Sequence, residues 1–146
     1  MNDHHGWGGA TPIFRVRDVR ASIRYFIDML GFTLDWDTPK FVSVSRDHCC
    51  IFLCEADQSA ERVWVWIGCP DAGALHDELR AKGAIIRHPP TDHPWAYEFQ
   101  VADLDGNVMR IGSEPRKGEP EREWLDGSGR LWVRQPSGRW EESAAE

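Results

Sequence analysis

The clearest periodicity in the chain lies between Asp18 and Gly31. Val19, Ile23, Phe26, Ile27 and Leu30 recur at spacings of four, three, one and three, which lines them up on one stripe of a 3.6-residue helix. Asp18 stands where an N-cap belongs, and Gly31 where a left-handed residue ends a helix. Ahead of this helix, Thr11 to Val16 is apolar enough for a strand. Behind it come three extended pieces, Phe32 to Asp37, Phe41 to Arg46 and Cys49 to Cys54, parted by Thr38-Pro39 and by Arg46-Asp47-His48 as turn signals. The predicted order is β-α-β-β-β.

That order then recurs. Arg62 to Gly68 predicts a strand, Asp71 caps a helix with Ala72, Leu75 and Leu79 inward, and Gly83 closes it. Ala84 to Arg87, Ala96 to Ala102 and Asn107 to Gly112 follow as extended pieces, the last two joined by the turn Leu104-Asp105-Gly106-Asn107, while His88 to His93 reads as a Pro-Pro loop. Residues 11–57 and 62–115 are therefore two copies of one unit, a repeat of about 50 residues in too few copies for a solenoid. Residues 1–10 are Gly-rich and patternless, and read as a flexible terminus. Residues 116–146 open with a charged linker and continue as apolar pieces carrying Trp124, Trp132 and Trp140, split by Gly-Ser-Gly and Pro-Ser-Gly. They predict a small β-meander. The expected class is α+β: two tandem βαβββ units with a β-rich C-terminal extension.

Composition narrows what such a chain does. A length of 146 residues suits one domain with an appendage, and 41% hydrophobic with 28% charged residues is globular. Acidic residues outnumber basic ones by 24 to 17, for a net charge of -7, and no stretch gathers five or more Lys or Arg. Nucleic acid is thereby set aside as a partner, whereas cations, including a polybasic small molecule, are attracted. The N-terminus has neither a positive n-region nor an apolar h-region, and no run of about 18 apolar residues spans a bilayer. The expectation is a cytoplasmic protein with no membrane contact. Cys49 and Cys50 are adjacent, so a strand points them to opposite faces, which suits neither a bridge nor a zinc knuckle. With Cys54 and Cys69 they are expected to be free thiols.

Two βαβββ units in tandem, with VRDVRASIRYFIDMLGF opening the first and PWAYEFQVADLDGNVMRIG ending the second, resemble the vicinal oxygen chelate superfamily. This is the glyoxalase, dioxygenase and bleomycin resistance group, and the bleomycin resistance branch is the most similar. The resemblance covers Thr11 to Pro115, and Pro94-Trp95, Glu98-Phe99 and Asp103 to Asn107 stand in the family's order. The chain departs from the pattern at Ala96, where relatives carry Gly, and at Leu104, where they carry Pro. The resemblance implies a cupped mixed sheet with helices on its convex face and the ligand in the hollow. It also implies a homodimer in which the first unit of one copy faces the second unit of the other. The pleat then turns Phe14, Val16, Val65, Ile67, Phe99 and Val101 inward, and Thr11, Ile13, Arg15, Arg62, Trp64, Trp66, Glu98 and Gln100 toward the cup.

Enzymes of the superfamily hold a divalent metal with His, Gln or Glu side chains from their first, fifth and eighth strands. The matching positions here are Thr11, Trp64 and Arg110, and a fixed guanidinium repels a divalent ion. The resemblance therefore implies no metal and no cofactor. His76, His88 and His93 read as surface residues, and His4 and His5 belong to the loose terminus. No nucleophile elbow or Gly-rich phosphate loop is present, and no residue is assigned a catalytic role. What remains is an aromatic cup. Trp64, Trp66 and Trp95 offer flat faces for a planar ligand, with cation-π attraction if it is positively charged. Trp64 and Trp66 fit a core or subunit-interface role as well. Glu98 suits a ligand cation or Arg110 equally, Gln100 and Arg62 share its face, and Trp36 with Phe41 would reach the site from the first unit. The expected function is metal-free sequestration of an aromatic, cationic compound, a bleomycin-like glycopeptide or an unknown ligand, in a dimer cleft, as in antibiotic resistance. The alternative is a metal-dependent lyase or oxidoreductase of glyoxalase or dioxygenase type, and a third reading makes the Trp-bearing tail a protein-recruiting module.

Overall fold

Both helices begin where the sequence places their caps. In this computed structural model, which describes residues 5–116, 123–126 and 128–143, helix α1 spans Val19–Asp28 and Asp18 Oδ1 accepts from the N–H groups of Arg20 and Ala21 at 3.0 and 3.1 Å. Helix α2 spans Ala72–Ala81, with Asp71 Oδ1 accepting from the Ala74 N–H at 3.0 Å. Gly31 and Gly83 adopt φ values of 74° and 92° beyond the helix ends, a conformation that favours glycine. His4 and the linker at 117–122 lie outside the described residues.

The inner stripe of α1 differs from expectation at one position. Val19, Ile23, Phe26 and Leu30 are buried, but Ile27 is exposed and Tyr25 takes its place. Tyr25 is turned inward because its hydroxyl donates to the Ala102 carbonyl at 2.5 Å and accepts from the Ile85 N–H at 3.0 Å, joining the two units. On α2, His76 is buried, not a surface residue. Its ring meets Phe99 edge-on at 5.4 Å, and its Nδ1 lies 3.1 Å from the Asp77 carboxylate, so one polar edge is satisfied while the rest packs as core.

Strands β1 (Ile13–Arg15), β2 (Thr33–Asp37), β3 (Phe41–Arg46) and β4 (Cys49–Cys54) form one sheet in the order β1-β4-β3-β2. Strands β5 (Trp64–Gly68), β6 (Ile85–Asp92), β7 (Tyr97–Ala102) and β8 (Val108–Ser113) form a second in the order β5-β8-β7-β6. The outer pairs β1/β4 and β5/β8 are parallel and the rest antiparallel. The duplicated βαβββ architecture is thus present in both halves. A third sheet, β9 (Glu123–Leu125), β10 (Leu131–Arg134) and β11 (Trp140–Glu142), is the expected meander, with the Trp132 indole donating to Asp126 at 2.9 Å.

Several strand limits differ from the sequence reading, and two of the differences have a visible backbone cause. β6 does not stop at Arg87 but runs through Pro89 and Pro90 to Asp92, with bulges between Ile86 and His88 and between His88 and Thr91. It is an edge strand, and a missing N–H on an outer edge breaks no ladder bond. β5 starts at Trp64, because Arg62 has a φ of 57° that takes it out of extended backbone.

The helices cover one face of each sheet and share one core, in which Phe14, Phe26, Val44 and Leu53 of the first unit join Leu79, Phe99, Val101 and Met109 of the second. Phe14, Val16, Phe99 and Val101 are buried as the pleat predicts, and Val65 and Ile67 pack half-buried against them. Among the described residues, no helix covers the opposite sheet faces. No helix among the described residues is long and apolar enough to cross a membrane.

Candidate functional site

The register across β5, β8 and β7 builds the open face of the second unit. Trp66 lies opposite Arg110, Arg110 opposite Gln100, and Glu98 opposite Gly112, so these side chains emerge on one surface. Glu98 is 3% exposed, and both of its oxygens are occupied: Trp66 Nε1–H donates to Oε2 at 2.9 Å and Arg110 Nη2–H to Oε1 at 2.5 Å. Burial alone pushes the Glu98 carboxyl up, but the hydrogen bonds from Arg110 and Trp66, the Arg110 charge and a further bond from Trp95 outweigh it. The net position is below the ordinary glutamate value, so Glu98 is ionised at neutral pH. Of the two partners open to it from the sequence, Arg110 is the one it holds.

A glycine keeps the Trp66 ring flat. A Cβ at Gly112 would stand 2.9 Å from Trp66 Cζ2, 3.2 Å from the Ala96 Cβ and 3.3 Å from the Glu98 Cβ, closer than such atoms pack. The indole therefore lies across backbone at Gly112, with its outer side open.

Trp95 is held by a residue that the sequence reading assigned to the surface. His93 stacks on it with centroids 4.7 Å apart and planes 2° from parallel, and His93 Nε2 is 3.8 Å from Glu98 Oε1. The stacking is made by a turn, closed by the His93 N–H donating to the Ala96 carbonyl at 2.9 Å, and no strand alternation signals it. Arg110 adds its guanidinium 6.0 Å from the Trp95 ring. Trp64 is also covered in part: the Arg87 guanidinium lies 4.7 Å over its ring while Arg87 Nη1 donates to Gln100 Oε1. Arg87 was not legible as a site residue, because the bulge that follows Ile86 shifts the alternation that would have assigned its face.

The remaining predicted residues lie elsewhere. Arg62 precedes β5 and its side chain packs against the Gly106 turn, away from the ring face. Trp36 and Phe41 stack at 5.6 Å and 14° on the first sheet, and Phe52 closes the cluster at 5.4 and 5.3 Å. A bulge in β2 sets Asp35 beside them, its carboxylate accepting from Ser43 Oγ at 2.9 Å and Ser45 Oγ at 2.6 Å. Each unit thus presents its own aromatic open face, and the two faces belong to separate sheets.

Between the units runs a cleft of about 920 Å³, lined by Phe32, Cys49, Cys50, Val65, Ile67 and Leu75 and bordered by Trp66. The cysteines are free thiols. Burial pushes the Cys49 and Cys69 thiols up, with the neighbouring Cys50 adding to the first and the bond from the Asp71 backbone opposing the second. Protonated thiols are poor nucleophiles, and the cleft offers volume and apolar contact, not reactivity.

A family model for the glyoxalase/bleomycin resistance protein/dioxygenase superfamily matches residues 6–111. The chain belongs to this superfamily. Among solved structures, it is similar to the bleomycin-binding protein from bleomycin-producing Streptomyces verticillus, complexed with copper(II)-bleomycin, at 25% identity and a TM-score of 0.66, covering 74% of this chain and 97% of that one. It is also similar to TnmS3, an antibiotic binding protein from Streptomyces sp. CB03234, at 18% identity and a TM-score of 0.66, over 76% and 99% of the two chains. A glyoxalase/bleomycin resistance protein/dioxygenase from Nocardioides aligns at 20% identity and a TM-score of 0.63, over 82% and 91%. No curated protein sequence matches the chain significantly.

Within the superfamily, the donor set decides whether a divalent metal fits. At the matching positions, Trp64 presents an indole and Arg110 a guanidinium, and the nearby carboxylate, Glu98, is occupied by Arg110 and Trp66. Among the described residues, no three His, Cys, Asp or Glu side chains come together as a metal site. These residues do not fit the metal that the superfamily's enzymes use.

Proposed function

We propose that this superfamily member is a metal-free sequestering protein that binds a planar aromatic compound of antibiotic type, a bleomycin-like glycopeptide or an unknown relative, without transforming it. The observation that carries this reading is the trio of exposed indoles on the second unit, Trp64 and Trp66 from β5 and Trp95 from the turn before β7: Trp64 is 49% exposed, Trp66 51% and Trp95 44%. Large rings left in water on a rigid sheet mark a surface meant to be covered. Each stacked ring contributes about 0.5–1.5 kcal/mol beyond area burial. The structure of a relative 25% identical in complex with copper(II)-bleomycin supports the ligand class.

A single sheet face is a wall and not a pocket. A second copy set against it, with the Trp36, Phe41 and Phe52 cluster facing the three indoles, supplies the opposite wall and excludes water from both sides of a flat ligand. In that homodimer Asp35, beside Trp36, receives a cationic arm of the ligand, in keeping with the net charge of -7.

Titration calorimetry with bleomycin, metal-free and copper-loaded, is the direct test. The expected result is saturable binding that Trp95→Ala weakens at least about fivefold, the loss of an aromatic anchor worth about 1 kcal/mol. Absence of heat with every bleomycin-type glycopeptide would discard the antibiotic version.

A further inference from the structure

We infer that the second unit's ring face selects a planar ring system carrying an oxygen acceptor at its rim, a carboxylate, phenolate or quinone carbonyl, over a flat cation. The inference rests on the reading of this face as a ligand site and names the class of ring it takes.

Charge on the face argues first. Among the strand residues on the open side of β5, β7 and β8, Glu98 is the one carboxylate, and it is buried with both oxygens occupied. Two guanidiniums stand against it. Arg110 neutralises Glu98, which leaves Arg87 as uncompensated positive charge, tied to the neutral Gln100. A flat cation approaching the indoles meets that charge with no free carboxylate on β5, β7 or β8 to receive it, so a cationic arm has to reach Asp35 on the opposite wall.

Occupancy of the rings argues next. A cation is drawn to an indole face by the ring quadrupole, but on Trp64 the Arg87 guanidinium already fills that place at 4.7 Å. Arg110 stands 6.0 Å from Trp95, on which His93 is also stacked. On Trp64 and Trp95 a ligand cation has to displace a protein cation before it gains anything, which leaves Trp66 as the ring open to it.

Donor capacity argues in the opposite direction, toward acceptors. The Arg110 side chain is 33% exposed, with one Nη held by Glu98, and its buried Nε–H has no acceptor. That Nε–H is closed to an incoming group, and the Nη hydrogens that Glu98 does not hold are the donors an acceptor can reach. Gln100, whose oxygen receives Arg87, still has its amide N–H groups to offer. The face thus combines flat apolar rings with outward donors beside them. A carboxylate or ring oxygen suits the planar fork of a guanidinium, and the ring that bears it covers the indole.

Two flat probes separate the alternatives on the full chain: anthraquinone-2-carboxylate, an anion with rim oxygens, and 9-aminoacridine, a cation. Calorimetry should show the carboxylate binding at least tenfold more tightly. Arg110→Lys, which keeps a cation for Glu98 but removes the fork, should cut that preference severalfold. Arg87→Gln, an exposed change that leaves Glu98 paired, should cut it too, and gives the answer if the lysine variant unfolds. Equal or tighter binding of 9-aminoacridine, or a preference indifferent to Arg87→Gln, overturns the inference. If bleomycin still binds in that case, the sequestration reading survives alone. If neither probe nor bleomycin binds, both fall together.

Discussion

The Glu98 carboxylate accepts from Trp66 and Arg110 at once, and this pairing holds its folded pKa below the ordinary value although burial pushes the other way. A carboxyl lowered on folding stabilises fully above its unfolded pKa, about 4.3, and that contribution is lost as pH falls through the folded value. Wild type should therefore be more stable than Glu98→Gln near neutrality, with the gap closing as pH falls from the unfolded value of about 4.3 through the lower folded one. Thermal unfolding of both proteins across that window checks it, and a gap that does not change with pH would remove the ion pair as its source. At this scale the sequence was readable where the pleat alone decides: Trp66, Glu98 and Arg110 fall on one face as expected. It was unreadable where a contact comes from bulged backbone or from a loop, which is why Arg87 and His93 emerged only from the fold. Arg62, assigned to the cup by strict alternation, is lost to it because its φ of 57° breaks the strand first.

Elements with a strong repeat were placed well from the residues. β3 and β4 begin and end where the turn signals put them, and both helices start at their Asp caps. β6 was cut short in the reading because Pro-Pro signals a break, a rule that holds for inner strands and lapses on an edge. The turn before β8 shows how one element fastens its neighbours. Asn107, fully buried, accepts from the Val63 N–H at 2.9 Å, and its amide donates to the Arg15 carbonyl at 3.1 Å and to Asp103 Oδ2 at 2.8 Å. Those bonds tie β1 of one unit to β5 and β8 of the other. Asn107→Ala leaves each of them unmet, and should lower unfolding stability by about 2–4 kcal/mol in a denaturant titration. A loss below about 0.5 kcal/mol would mean that water replaces the amide without cost.

For the whole molecule, the two units meet through side chains and a shared core, and among the described residues no ladder bridges their sheets. Arg46 reaches Glu78 at 2.7 and 3.1 Å, and Arg17 reaches Asp105 at 3.0 Å through its backbone N–H. Each unit then keeps an aromatic face without a facing layer, and sedimentation of the full chain at micromolar concentration should give a dimer. Trp36→Ser should shift it toward monomer while the far-ultraviolet circular dichroism stays unchanged. A monomeric wild type would leave the ligand with a single wall. The duplicated architecture was visible in the residues because hydrophobic period and caps repeat together, whereas the way the open faces are used depends on assembly, which no periodicity encodes.

Pro89 and Pro90 have a bearing on how any neighbour approaches. Without amide hydrogens at these two positions, the outer margin of the second sheet presents an interrupted backbone to a would-be additional strand. Growth by sideways recruitment of extended peptide is thereby discouraged at that border. Visitors are steered to meet the molecule broadside, through its indoles.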